Sequence, residues 1–222
     1  MKVGPTSLIL ISLVVGVFAG VGIMSITSAG SNRELSHVGR DLIRVDESEI
    51  RTSSLHFGSY SADKVVYVFS DYDCPFCKSH HETLMRIITQ NPAITVAYYH
   101  LPIENLHPDS RKKAIFMECI ADRQEAAVPY FHEFMFNNSW SALVDNELIN
   151  TYISASGIDG SVLTSCVEFA ESDNVTYSSV VDDDIEYALS IGARATPTNI
   201  INGKLVPGAV PPQLLMDYIG LN

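Results

Sequence analysis

The run Lys64-Val65-Val66-Tyr67-Val68-Phe69 is apolar and rich in β-branched and aromatic residues, which predicts a buried strand. From Lys78 through Ile88 the apolar positions recur with helical spacing, and the helix runs to about Gln90. Asn91-Pro92 stops it there, because proline disfavours helix at the residue before it. Ile94-Thr95-Val96-Ala97-Tyr98-Tyr99 predicts a second strand, and Leu55-His56-Phe57 gives a weaker strand signal upstream. The order β-α-β implies a parallel pair with a right-handed crossover.

Beyond Pro108 the rhythm is helical as far as Gly192, with candidate helices at 109–122, 127–137, 145–155, 160–170 and 175–191. Asp109 and Ser110 begin the first of these, and Asp145 is placed to cap the third. Strand signals return in Thr198-Asn199-Ile200-Ile201 and Lys204-Leu205-Val206, joined by Asn202-Gly203. Asn-Gly between two apolar runs is a strong hairpin signal. A helix over 212–219 closes the chain, so the plan is βαβ, a helical insertion, then ββα.

The N-terminus follows another pattern. Leu8 to Ile26 is uncharged and ends in Thr27-Ser28-Ala29-Gly30. A secretory signal with cleavage near Thr27 and Ala29 is one reading. A membrane anchor formed by residues 6–29, with Gly16 and Gly20 as a GxxxG pair, is the other. Either one exports the body of the protein to the periplasm or cell envelope. Residues 31–53 read as a polar linker, in which Leu35, Val38, Leu42 and Val45 have the spacing of a short amphipathic helix. The expected segments are 1–30 (signal or anchor), 31–53 (linker), 54–107, 108–192 (helical insertion) and 193–222.

Charge narrows the partners. Twenty-six acidic residues face 14 basic ones, which argues against nucleic acid and suits a soluble exported domain. Export also places four cysteines where disulfides form and persist.

The chemistry concentrates in Cys74-Pro75-Phe76-Cys77, at the junction of the strong strand and the first helix. Helix N–H groups without intrahelical partners, together with the helix dipole, stabilise a thiolate at the first cysteine. Pro75, near the first helical position, gives up no needed hydrogen bond. Half a zinc site is the competing reading, but structural zinc takes four ligands in paired short spacings, and no second CxxC or HxxxH follows. His80 and His81 are expected to face solvent on the helix, where they are possible electrostatic modulators of Cys74. His100, His107 and His132 read as ordinary turn or helix residues. Asp71 and Asp73 flank the motif and would raise the thiolate pKa. Asn137-Asn138-Ser139 and Asn174-Val175-Thr176 match the glycosylation pattern, a frequent chance match.

Phe69-Ser70-Asp71-Tyr72-Asp73-Cys74-Pro75-Phe76-Cys77, the helical insertion, and Ala195-Thr196-Pro197-Thr198 before Ile201-Asn202-Gly203 resemble the DsbA-like exported thiol-disulfide oxidoreductases. The resemblance covers about residues 55–220 and implies an α/β thioredoxin fold with an inserted all-α domain, preceded here by the N-terminal hydrophobic helix. It implies that Cys74 is the nucleophile, an exposed thiolate, Cys77 the more buried resolving thiol, and Pro197 the family's cis-proline. The Thr196 backbone would then pair with an extended substrate peptide. Some relatives carry a second disulfide in the insertion, and Cys119 and Cys166 look like that structural pair. No cofactor beyond the redox-active cysteine pair is implied.

Two departures bear on mechanism. Phe76 offers apolar contact to an unfolded client but no positive charge. Val68 stands where many relatives carry a buried glutamate thought to move protons at the resolving thiol, so proton transfer here needs water or another group. The resemblance implies an oxidase that forms disulfides in reduced exported proteins and is re-oxidised by a quinone-linked membrane oxidase. An isomerase or reductase, kept reduced by a membrane electron donor, is the alternative of the same fold. A non-catalytic thioredoxin-fold binding factor is a third reading, and the intact CxxC argues against it.

Overall fold

The computed structural model describes residues 42–59 and 62–221. The hydrophobic segment expected over 1–30, its GxxxG pair and the first part of the amphipathic stretch lie outside those residues. No helix among the described residues is long and apolar enough to cross a membrane.

Five strands, β1 (Leu55–Gly58), β2 (Lys64–Ser70), β3 (Ile94–His100), β4 (Thr198–Ile201) and β5 (Lys204–Pro207), form one sheet in the order β1-β3-β2-β4-β5. β2 and β3 run parallel, joined by the crossover helix α1 (Pro75–Gln90), and the other pairings are antiparallel. The β2–β3 register sets Val66 beside Val96, Val68 beside Tyr98 and Ser70 beside His100. Because strand side chains alternate between faces, these six share one face of the sheet. That face packs in a core with Cys77 and Leu84 of α1 and with Leu215 and Ile219 of α7 (Pro212–Ile219). Phe69, Ala97, Tyr99, Ile200 and Leu205 point the other way and pack on Ala188. Between β4 and β5, Asn202 and Gly203 adopt φ of 50° and 68°, the left-handed pair that a tight two-residue hairpin requires.

The segment between β3 and β4 holds α2 (Ser110–Arg123), α3 (Val128–Asn137), α4 (Asn146–Ser156), α5 (Gly160–Glu171) and α6 (Val175–Ser190). Asp145 caps α4 by accepting the Glu147 and Leu148 N–H groups. α2 is buried along most of its length, from Lys113 through Ile120, as expected of a helix with others packed around it. Cys119 on α2 and Cys166 on α5 are joined by a disulfide with Cα atoms 5.5 Å apart.

The amphipathic helix expected over 35–45 does not extend into the described residues. Leu42–Val45 are instead extended along the edge of β5, with Leu205 N–H donating to Ile43 O and Val45 N–H to Gly203 O, each at 2.9 Å. The open edge of β5 supplies backbone partners that a short isolated helix, marginal in water, does not outcompete.

Candidate active site

β2 ends at Ser70 and the chain turns through Asp71–Asp73 into α1. Cys74 is the N-cap residue of that helix, with φ −78° and ψ 119°, and Pro75 occupies the first turn. The helix begins with Lys78 N–H donating to Cys74 O at 3.1 Å, which leaves the first-turn amides facing the Cys74 sulfur. β4 enters the sheet antiparallel to β2, with Thr198 beside Phe69. That pairing carries the preceding Thr196–Pro197 loop to the end of β2, and the Thr196–Pro197 peptide bond is cis. Cys74 Sγ lies 3.5 Å from Thr196 O, so the motif and the loop 122 residues downstream meet at one sulfur.

Both thiols are buried, Cys74 at 5% and Cys77 at 1% exposure, so Cys74 is not the exposed thiolate that the resemblance implies, and the two differ in their hydrogen bonds instead. The Cys74 pKa is lowered to about 5, chiefly by a hydrogen bond from the Cys77 thiol and against an opposing effect of burial. The Thr196 side chain and the backbone at Cys77 and Phe76 act in the same direction. Burial pushes the Cys77 thiol far above its ordinary value, and its hydrogen bond to Cys74 adds to this. One cysteine is therefore held as a thiolate at neutral pH and the other as a thiol, the asymmetry needed for sequential exchange. Beside them Phe76 is 66% exposed, an apolar step next to the sulfur.

Several site residues behave differently from their sequence-based expectation. Asp71 and Asp73 do not stand as loose charges against the thiolate. Asp71 is buried and accepts from Asp73 N–H, Ile103 N–H and His107 Nδ1 at 2.7–2.8 Å. Asp73 pairs with the ammonium of Lys113, which also donates to Met135 O at 3.0 Å and Asn138 O at 2.7 Å. Local charge neutralisation thus replaces the repulsion expected from the flanking pair.

His80 and His81 are buried rather than solvent-facing, and both lie on the Cys77 side of α1. Residues 77, 80, 81, 84 and 87 follow 3-1-3-3 spacing, so both rings fall on the face packed against the sheet. Neither contributes to the Cys74 shift. His80 Nε2 meets Asn199 Oδ1 at 2.7 Å, while Asn199 Nδ2 donates to Val206 O and Gly208 O. His81 Nδ1 meets Tyr98 OH at 2.8 Å, and its Nε2 lies 3.2 Å from Glu133 Oε2.

His100, His107 and His132 are likewise more than ordinary turn or helix positions. His132 is an enclosed aromatic hub, its ring centroid 4.5 Å from Tyr98, 4.6 Å from Phe57 and 4.9 Å from His81. His100 Nε2 meets the buried Glu118 at 3.0 Å. Burial lowers the pKa of His80, His81 and His132, which favours their neutral forms. Sequence reasoning missed Lys113, Tyr98 and Asn199 altogether. Only for Lys113 is there a signal, since it shares a helical face with Phe116, Met117 and Ile120.

The sheet order, the dithiol at the start of the crossover helix and the cis-proline loop facing it define a thioredoxin-fold protein of the DsbA-like kind, with its helical block inserted between β3 and β4. A family model described as thioredoxin matches residues 51–219, and the chain belongs to that family. Among solved structures it is similar to DsbA2 of Pseudomonas aeruginosa, with a TM-score of 0.63, 23% identity, and 77% of this chain and 94% of that one covered. It is also similar to a periplasmic thioredoxin-like protein from Salmonella enterica serovar Typhimurium, with a TM-score of 0.60, 19% identity, and 85% and 95% covered. A thioredoxin-like oxidoreductase from Silicibacter pomeroyi DSS-3 gives a TM-score of 0.61 at 22% identity, with 77% and 96% covered. At these identities the likeness speaks for the fold. No curated protein matches the sequence.

Proposed function

We propose that this protein is an exported thiol-disulfide oxidoreductase that forms disulfides in secreted proteins through Cys74 and Cys77. One observation carries the reading: Cys74 sits at the N-terminus of α1, against Thr196, with its pKa lowered to about 5, while Cys77 stays buried and protonated. A client thiolate attacks Cys74 in the oxidised protein, the Cys74–Cys77 bond breaks, and a mixed disulfide forms at Cys74. A second client thiolate attacks that bond, leaving the client oxidised and the protein reduced. Because reduction yields a stabilised thiolate, the oxidised form is the less stable partner and donates its disulfide.

Phe76 and the Thr196 backbone beside Cys74 suit an extended apolar client segment. Export through the segment at residues 6–29, as a signal or an anchor, agrees with the Cys119–Cys166 disulfide, since such bonds persist outside the cytosol. The partners are then reduced exported proteins and a quinone-linked membrane oxidase. The test is Cys77→Ala in the full chain. It should trap clients on Cys74 as mixed disulfides visible by mass spectrometry, whereas Cys74→Ser should trap none. Equal adducts on both variants would contradict the reading.

A further inference from the structure

To close the disulfide, Cys77 must become a thiolate at a position only 1% exposed. The β-α unit decides what stands opposite it. The chain reverses through the short turn 71–73, and α1 runs back over the sheet. The first inward residue of the helix therefore lies over the last inward residue of the strand. On α1 that residue is Cys77, and on β2 it is Ser70, which follows Val66 and Val68 on the same face. Ser70 is the only polar side chain of the three. Val68, two residues farther from the turn, has no hydrogen bond to offer.

The backbone of Ser70 is fixed in the sheet, beside His100 and with Leu101 N–H donating to Ser70 O at 2.8 Å. Its side chain is idle. The hydroxyl is buried and has no hydrogen-bond partner among the described residues. His100, its neighbour on β3, is bonded to Glu118 instead, and the Asp71 carboxylate is taken up by Asp73, Ile103 and His107. A buried hydroxyl left unpaired costs free energy, so its presence calls for a reason. What Ser70 does act on is Cys77. Burial holds that thiol far above its ordinary value and the bond to Cys74 adds to this, while the Ser70 side chain and the Asp71 backbone pull toward the thiolate.

We propose that the Ser70 hydroxyl is the hydrogen-bond donor for the resolving thiolate: unpartnered while Cys77 is a thiol, it donates to the Cys77 sulfur once that sulfur is charged. This deepens the thiol-exchange reading and rests on it. In the resolving step the Cys77 S–H bond breaks and its proton leaves to water. The Cys77 thiolate attacks Cys74 Sγ, and the Cys74–Cys77 bond forms as the bond to the client breaks. The client sulfur leaves with the electron pair as a thiolate, and Ser70 keeps its own proton throughout. A charged acceptor makes the stronger hydrogen bond, so the contact tightens as charge develops on Cys77 and loosens when the disulfide has formed. An interaction made mainly along the way lowers the barrier rather than holding the resting thiol. In the opposite direction, when a client opens the disulfide at Cys74, the same donor meets the charge that appears on Cys77.

The test is single-turnover oxidation of the reduced full-length protein by glutathione disulfide, with acid quench and mass spectrometry to follow the glutathione adduct. Ser70→Ala should slow resolution of the adduct about tenfold, the lower end for a hydrogen bond to a charged group. Adduct formation, which depends on Cys74, should keep the wild-type rate. Ser70→Thr, which retains a hydroxyl, should restore resolution, and Ser70→Val, its isostere without one, should not. Both active-site thiols are free in this structure, so the unpaired hydroxyl belongs to the reduced protein. Reduced Ser70→Ala should therefore unfold in urea at the wild-type midpoint or above it. Resolution at the wild-type rate in Ser70→Ala overturns the proposal. So does a Ser70→Ala protein that unfolds more easily and slows both steps alike, because the hydroxyl is then structural. A wild-type protein that never forms the adduct overturns the thiol-exchange reading itself, and the role of Ser70 with it.

Discussion

Cys74 and Cys77 are chemically the same residue, placed three positions apart with opposite acid-base behaviour. The difference is positional: Cys74 faces helix N–H groups and accepts a hydrogen bond from its partner, while Cys77 is enclosed by core side chains. A thiol whose pKa falls from 9.0 to about 5 is a thiolate throughout the neutral range and loses reactivity only as pH drops through about 5. The rate of Cys74 alkylation by iodoacetamide should accordingly reach half its plateau near pH 5, read by peptide mass spectrometry. A midpoint above pH 8 would show an ordinary thiol. The motif itself was legible because CxxC after a β-branched run is a local signal. The two histidines that follow it, expected at the surface from their helical positions, are buried. Their spacing from Cys77 to Leu84 already placed them on the inward face of α1.

At the scale of elements, the strands and helices were legible wherever a local rule decided them, as with Asn202-Gly203 for the hairpin and Asn91-Pro92 for the end of α1. What sequence did not disclose depends on contacts between distant elements. The strand-like course of Leu42–Val45 needs the edge of β5, and the role of Lys113 needs the C-terminal end of α3. Lys113 ties the turn before Cys74 to the helical insertion, since one ammonium, 1% exposed, holds Asp73, Met135 O and Asn138 O. Lys113→Met keeps the apolar stem but strands a carboxylate and two carbonyl groups. Asp73 is partly exposed, so the loss should fall below that of a fully buried pair, at about 2 kcal/mol. Urea unfolding measures it, and an unchanged midpoint would show that this tie contributes nothing.

In the molecule as a whole, the sheet brings a motif at one end of β2 against a loop more than a hundred residues later, and the insertion meets the turn before Cys74 through Lys113 and Asp73 and meets α1 through Phe136 stacked on His81. The βαβ–ββα order implied the first meeting, because a hairpin returning beside β2 has few places to go. The hydrogen bonds of buried His81 to Tyr98 and Glu133 were not implied, since they join β3, α1 and α3, and side-chain pairing across three elements leaves no periodic trace. The central claim is that this arrangement stabilises the reduced dithiol and so makes the oxidised protein a disulfide donor. The equilibrium of the Cys74/Cys77 pair with glutathione tests it most directly, because the potential measures the free-energy difference between the two forms. The account predicts an oxidising value near about −120 mV, and a value well below about −200 mV would contradict it.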